Sequence, residues 1–135
     1  MAATLFSRVN PDQGSTLLDI AADAIEQRLS GRGTVQPPDL ADLPTPLALA
    51  GASFVSLHTA AGLRGCCGSL EPTRALAHDV WRNAQASAFA DPRFLPLAPD
   101  EWSGVTELEI AVLSGFDRLC VRSENELLQR LVPGV

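Results

Sequence analysis

Apolar residues recur at helical spacing in two stretches of the chain. Between Ser15, a candidate N-cap, and Gly31, a candidate stop, this spacing predicts an amphipathic helix over residues 16–30. Pro72, at a favoured early helix position, begins a second apolar stripe that runs to about Ala90. Both stripes are typical of helices that pack against a core. The first consists of Leu17, Leu18, Ala21, Ala24, Ile25 and Leu29, and the second of Leu76, Ala77, Val80, Trp81, Ala84 and Ala88.

Other stretches predict three strands and a last helix. Residues 52–58 are rich in large apolar side chains, and a second strand follows from Leu63. Residues 107–113 alternate between acidic and apolar positions, which predicts a half-exposed, antiparallel strand. Ser123 with Glu126 forms a capping-box pattern, which predicts a helix over the apolar residues that follow. The predicted order is therefore helix, strand, strand, helix, strand, helix.

The link between the first two strands leaves two hairpin geometries open. Gly62 adopts positive φ at little cost, which favours a three-residue loop with a glycine bulge. A two-residue turn prefers Asn-Gly, where this chain has Ala60-Ala61. The two geometries shift the cross-strand register by one residue, so the sequence does not decide the pairing.

The composition describes a single globular domain and excludes two classes of partner. The 135 residues, 46% of them hydrophobic, suit one domain over residues 1–135. A formal net charge of -6 and scattered basic residues argue against a nucleic-acid binder. No window of about 18 apolar residues predicts a membrane span, and no signal peptide is evident. Three cysteines, an odd number, then predict reduced thiols and a cytoplasmic protein.

The stretch from Leu63 to Leu70 combines a guanidinium, two thiols and two glycines. Arg64, Cys66 and Gly68 share one face by strand alternation, which separates the two thiols: one can face a cleft while its neighbour packs inward. An arginine beside Cys66 favours its thiolate, and Gly68 leaves room for a ligand. We therefore expect these three residues to line a small anion-accepting pocket. A thiol that packs as a small hydrophobe is the alternative that this pattern leaves open.

Other combinations of chemically active residues form weaker patterns. His58 and His78, taken with the cysteines, match none of the paired spacings of zinc sites, so no metal site is predicted. A Cys–His pair through either histidine stays open. The two glutamates of the 107–113 strand are more typical of a solvated face than of acid–base chemistry. Asp91 and Arg93 flank a proline and are expected to anchor their loop, as an ion pair or through backbone hydrogen bonds.

The run Leu63-Arg64-Gly65-Cys66-Cys67-Gly68 resembles the LRGCIG signature of the AMMECR domain family, also called protein A of the AmmeMemoRadiSam system. The resemblance extends from about residue 15 to the end. Cys67 replaces the family's usual isoleucine, which supports its inward position. The family pattern continues for several tens of residues more, so its C-terminal part is absent here. Further motifs match in the same order at residues 55–58, 82–84, 88–94 and 108–114.

The resemblance implies a fold and a set of site residues. The fold is α+β, with helices packed on a curved, barrel-like, mostly antiparallel sheet and the signature strand at a cleft. If the absent part completes that sheet, an open edge remains for a partner or for a second copy in a homodimer. Cys66 is the candidate catalytic residue, and the candidate ligand-binding residues are Arg64, Gly65, Gly68, Asp91 and Arg93.

Two functions are compatible with these residues. The first is a cytoplasmic module that binds a small anionic ligand or a partner. The resemblance implies that such a module acts with a Memo-type, dioxygenase-like protein and a radical-SAM protein. The second is an enzyme in which Cys66 is a nucleophile or redox thiol and Arg64 binds an anionic substrate group. Neither the residues nor the resemblance identifies a cofactor.

Overall fold

The chain forms an open antiparallel sheet with its two long helices packed on one face. The computed structural model describes residues 10–31, 36–114 and 117–124. The predicted α+β class is confirmed, but the sheet does not close into a barrel across the described strands. The helices are α1 (Pro11–Ser30), α2 (Thr45–Ala48), α3 (Leu76–Phe89) and α4 (Pro99–Trp102), with a 3-10 helix at Leu40–Asp42. The strands are β1 (Ala50–Thr59), β2 (Gly62–Gly68), β3 (Arg74–Ala75), β4 (Val105–Ser114) and β5 (Asp117–Glu124).

The sheet has β2 at one edge and follows the order β2-β1-β4-β5. Every neighbouring pair is antiparallel, and the short β3 pairs with the start of β1. The core side chains of β1 and β4 meet the apolar stripes of α1 and α3 in one buried cluster. The predicted strands at 52–58 and 107–113 are therefore confirmed, as are the two core-facing helix stripes.

The first helix begins earlier than its apolar stripe indicates. Asn10, rather than Ser15, is the N-cap, because its side chain accepts from the Gln13 N–H at 2.8 Å. The Gln13 side chain in turn accepts from the Asn10 N–H, which completes a capping box. Gly31 ends the helix at φ 66°, as predicted. No helix in the described part of the chain is long and apolar enough to cross a bilayer.

Two other boundaries differ from the predictions because of strand pairing. The third helix begins at Leu76 rather than near Pro72, since residues 74–75 pair with β1 instead. The sequence pattern does not predict the strand β5, which pairs with β4 along its whole length. Ser123, predicted as a helix cap, lies in β5. The helix predicted after it lies outside the described residues.

The β1–β2 hairpin has a two-residue turn, so the expected three-residue loop is wrong. Thr59 pairs with Gly62, and Ala60-Ala61 form the turn. Further along, His58 pairs with Leu63 but Leu57 pairs with Gly65, which leaves Arg64 as the extra residue of a bulge. The alternation that places Cys66 and Gly68 on one face therefore does not extend to Arg64.

A fully buried carboxylate, Asp79, connects β1, the end of β2 and α3. It accepts hydrogen bonds from the Ser53 backbone and hydroxyl at 2.8 and 2.7 Å. The Ser69 hydroxyl donates to it at 2.8 Å and the Arg74 guanidinium at 2.7 Å. Because a buried charge is costly without partners, this network fixes the position of the residue that follows β2.

We predict that Gly65→Ala destabilises the protein by about 1–3 kcal/mol or more, the cost of overpacking a core. Gly65 is buried, and a Cβ at this position would overlap the carbonyl oxygen of Ser87 in α3. Urea unfolding measures the change. Gly104→Ala is the control, because the nearest atom to its added Cβ is the Glu101 carbonyl oxygen at 3.4 Å. Equal stabilities of the two variants would contradict the packing role of Gly65.

Candidate functional site

Cys66 lies on the sheet face that points away from the helices. It pairs with Ser56, whose hydroxyl donates to the Cys66 Sγ at 3.3 Å. The neighbouring Val55 and Leu57 are fully buried in the core, so Ser56 and Cys66 point the other way. The Cys66 N–H donates to Asp91 rather than to β1. The Ser56–Cys66 pair is therefore the non-hydrogen-bonded type, in which side chains approach closely.

The two glycines of the signature strand have packing partners. Because Gly65 has no side chain, the Ser87 carbonyl of α3 approaches it closely. The ring of Phe54 lies where a Gly68 Cβ would be. The room beside Cys66 that we expected for a ligand is thus occupied by an aromatic ring in this structure. Gly68 permits that ring to cover the strand, a known use of glycine in sheets. The ligand-binding roles of both glycines stay predictions.

Arg64 is directed toward the segment that follows α3. Its Nε and Nη2 donate to the Glu101 carboxylate at 3.2 and 3.0 Å, and Nη2 also donates to the Leu95 carbonyl at 2.8 Å. Its side chain is only 12% exposed. Hydrogen bonds from Arg64 lower the pKa of Glu101 from its ordinary value. The third nitrogen, Nη1, is buried and has no partner among the described residues.

Asp91 and Arg93 form an ion pair against the edge of β2, the anchor predicted from their spacing. The Arg93 Nη2 donates to Asp91 Oδ2 at 2.7 Å, and the Arg93 backbone and Nε donate to Oδ1 at 3.0 Å. The same Oδ2 accepts the Cys66 N–H at 3.0 Å. Hydrogen bonds from Arg93, together with that of Cys66, hold the pKa of Asp91 well below its usual range against the effect of burial.

Arg93 shares Asp91 Oδ2 with the Cys66 N–H and interacts electrostatically with Cys66. Asp91 raises the pKa of Arg93 most, through a hydrogen bond and charge, and Cys66 adds a smaller coulombic contribution. Strand alternation alone predicts Arg64 in this position beside the thiol. The bulge at Arg64 and its bonds to Glu101 explain the difference, because both direct that guanidinium to another segment.

Phe94 brings the two arginines to one place. The Cζ atoms of Arg64 and Arg93 lie 5.4 and 5.5 Å from the centroid of its ring, within the range of cation–π contacts. The site thus consists of a half-buried thiol, two guanidiniums on one aromatic ring and two carboxylates that hold them. Among these, Phe94, Glu101 and Ser56 were not candidates from the sequence. Two of them had a signal there, because Ser56 and Phe94 lie in stretches that match the family, at residues 55–58 and 88–94.

The histidines lie in other surroundings. The His58 Nε2 is 4.0 and 3.9 Å from carboxylate oxygens of Glu107 and Glu109 on the neighbouring strand. The His78 Nε2 is 2.8 Å from the carbonyl oxygen of Pro38, so this ring anchors the segment before the 3-10 helix to α3. In the part of the chain that the structure describes, no three metal-ligating side chains converge.

Comparison with known proteins identifies relatives that are longer than this chain. A protein of Methanothermobacter thermautotrophicus is 36% identical over 130 residues, which cover 96% of this chain and 66% of that protein. A protein of Thermofilum pendens is 31% identical over 94% of this chain and 63% of that protein. The crystal structure of an uncharacterized protein from Pyrococcus horikoshii matches with a TM-score of 0.72 and 30% identity, over 80% of this chain and 54% of that one. The family model AMMECR1 matches residues 18–135.

We predict that the Asp91 carboxylate stabilises the fold at neutral pH and loses this effect in acid. Its pKa is lower in the folded state than in the unfolded chain, so its contribution is complete above the unfolded pKa, about 4. That contribution disappears as the pH falls toward the folded pKa. Asp91→Asn should therefore be less stable than the parent at pH 7, with a difference that shrinks below about pH 4.

Chemical unfolding at a series of pH values measures this difference. Asp42→Asn, at an exposed carboxylate, is the control for the charge change alone. A stability difference between Asp91→Asn and the parent that stays constant from pH 7 to pH 2.5, about one and a half units below the unfolded pKa, would contradict the role of the carboxylate.

Proposed function

This chain belongs to the AMMECR1 family, and we propose that it is a binding module for a small oxyanion, a carboxylate or a phosphate. The binding residues in this proposal are Arg64 and Arg93, which both contact the ring of Phe94. Arg93 also shares an Asp91 oxygen with the Cys66 N–H. The chain spans between about half and two thirds of the length of the relatives described above. The proposal therefore concerns the site that this chain itself carries.

The observation that carries the proposal is the unpartnered Nη1 of Arg64. Two of the three guanidinium nitrogens are bonded to Glu101 and Leu95, and the third is buried without an acceptor in the described structure. A buried donor without a partner costs about 1–3 kcal/mol, and more when it is charged. A ligand oxygen at Nη1 would remove that cost. Arginine is well suited to this role because its planar fork matches carboxylate and phosphate geometry.

Arg93 supplies the second set of donors. Its side chain is 57% exposed, although Asp91 holds it from behind through two nitrogens. The carboxylates of Asp91 and Glu101 balance the two positive charges, so the site offers directed donors rather than a strong positive field. Recognition of this kind favours a small oxyanion that fits the donors over a polyanion that needs net charge.

We predict that Arg64→Gln and Arg93→Gln each weaken oxyanion binding by about tenfold or more, since a hydrogen bond to a charged group contributes about 1.5–3 kcal/mol. The probes are inorganic phosphate and acetate, titrated at constant ionic strength because exposed charges are screened by salt. Binding is followed by changes in backbone amide resonances of β2 and of the loop that contains Phe94.

Arg82→Gln is the matched control for this measurement. Arg82 is an exposed arginine of α3, and its loss changes the net charge equally. Thermal unfolding of each variant checks that Glu101, left without its partner, has not disrupted the fold. An equal effect of Arg82→Gln and Arg93→Gln, or saturable binding that survives both site variants, would exclude the proposed site.

A second candidate function is an enzyme in which Cys66 is the nucleophile or redox thiol. The favouring observation is its half-buried position on the sheet face opposite α1 and α3, with the Ser56 hydroxyl at 3.3 Å and Arg93 close enough to interact electrostatically. Reactive cysteines are found in such partly exposed surroundings beside cations. In this alternative the arginines bind an anionic group of the substrate.

We predict that Cys66 reacts with iodoacetamide faster than Cys67, which pairs with the buried Val55 on the core side of the strand. Mass spectrometry of digested protein gives the rate at each cysteine. Arg93→Gln should slow the reaction at Cys66 because it removes the nearby cation. If Cys66 reacts no faster than Cys67 or Cys120, the enzymatic alternative loses its support. The Memo-type and radical-SAM partners stay predictions from the resemblance.

A further inference from the structure

The outer edge of β2 carries backbone groups that have no partner in the described structure. The Cys66 N–H points away from β1, to Asp91, and the Ser69 N–H points toward β1, to Ser53. Because bonding directions alternate along an antiparallel strand, the Cys66 carbonyl and both backbone groups of Gly68 also point outward. No strand pairs with β2 on that side among the described residues. Edges of this kind bind additional strands.

The open edge ends abruptly at the loop that follows α3. The Asp91 carboxylate accepts the Cys66 N–H and so occupies the position where a neighbouring strand would place its carbonyl. The Leu95 carbonyl accepts from the Arg64 side chain, which holds the same loop against β2. A strand added beside Gly68 must therefore end when it reaches Asp91. A second copy of β2 would bring its own residues 69–71 to this loop, because its chain continues beyond the strand. A chain terminus has no such continuation.

The direction of the added strand follows from the charge at that point. An antiparallel strand beside β2 would arrive at Asp91 with its C-terminus, since β2 runs from Gly62 to Gly68. Its terminal carboxylate would then meet Arg93, which is 57% exposed and held in place by Asp91. A parallel strand would instead bring an amino terminus to the same guanidinium, which is a like charge. Each Asp91 oxygen already accepts two hydrogen bonds, so an amino terminus would find no open acceptor there. The antiparallel arrangement instead gives the terminal carboxylate a charge-assisted hydrogen bond from Arg93.

We propose that the free edge of β2 binds the C-terminal segment of a partner protein as an added antiparallel strand, with the terminal carboxylate on Arg93. The proposal rests on the proposed function, because this carboxylate is the oxyanion of the site. The backbone bonds form at Cys66 and Gly68. Leu70, which follows the open edge and is 81% exposed, offers apolar surface to a side chain of the incoming strand.

The test uses two synthetic hexapeptides of alternating threonine and valine, one with a free C-terminal carboxylate and one with a C-terminal amide. The carboxylate peptide should bind about tenfold more tightly, the effect of one charge-assisted hydrogen bond. It should also slow hydrogen exchange of the Gly68 amide. The Gly104 amide, which already donates to the Glu101 carbonyl, is the internal control. Arg93→Gln should remove the difference between the two peptides.

The outcomes separate this inference from the proposed function. If acetate binds through Arg93 but neither peptide protects the Gly68 amide, the oxyanion site stands and the strand-addition proposal is overturned. If acetate, phosphate and both peptides all fail to bind, both proposals are overturned. Protection of Gly68 that rises with protein concentration in the absence of peptide would assign the edge to a second copy and would also overturn this inference.

Discussion

The carboxylate of Asp91 joins the signature strand to the loop that follows α3, and the site depends on this contact. One oxygen accepts from the Cys66 backbone and from Arg93, and the other accepts from the Arg93 backbone and side chain. An edge-strand amide that needs an acceptor thus receives one from a side chain rather than from another strand. The loop is thereby held against β2, and its Phe94 ring contacts both Arg64 and Arg93.

Each arginine of the site forms an ion pair within the protein and still has N–H groups that can donate to a ligand. Arg64 bonds to Glu101 and Arg93 to Asp91, so each positive charge is balanced where it lies. In a chain with a formal net charge of -6, such local pairing prevents a broad positive surface. What remains for a ligand is a small set of directed N–H groups beside a thiol. Selectivity in this arrangement comes from the geometry of the donors.

Helical stripes and strand alternation were reliable wherever one face of an element is buried. The stripes of α1 and α3 and the alternation in β4 all correspond to the observed core. Alternation also separates the two thiols: Cys67 pairs with the buried Val55, and Cys66 lies on the opposite face of the sheet. It failed at Arg64, because a bulge inserts one residue and the period of two no longer applies. The β5 strand was missed although it pairs with β4.

The sequence by itself determined what depends on neighbouring residues: the apolar faces of the helices, the stop at Gly31, the loop anchor of Asp91 and Arg93, and membership of the family. Only the tertiary structure decided which distant residues meet. Arg64 bonds to Glu101, 37 positions away, and Phe54 covers Gly68 across the hairpin. Periodicity carries no information about such contacts, because they depend on the strand register and on how helices and loops pack against the sheet.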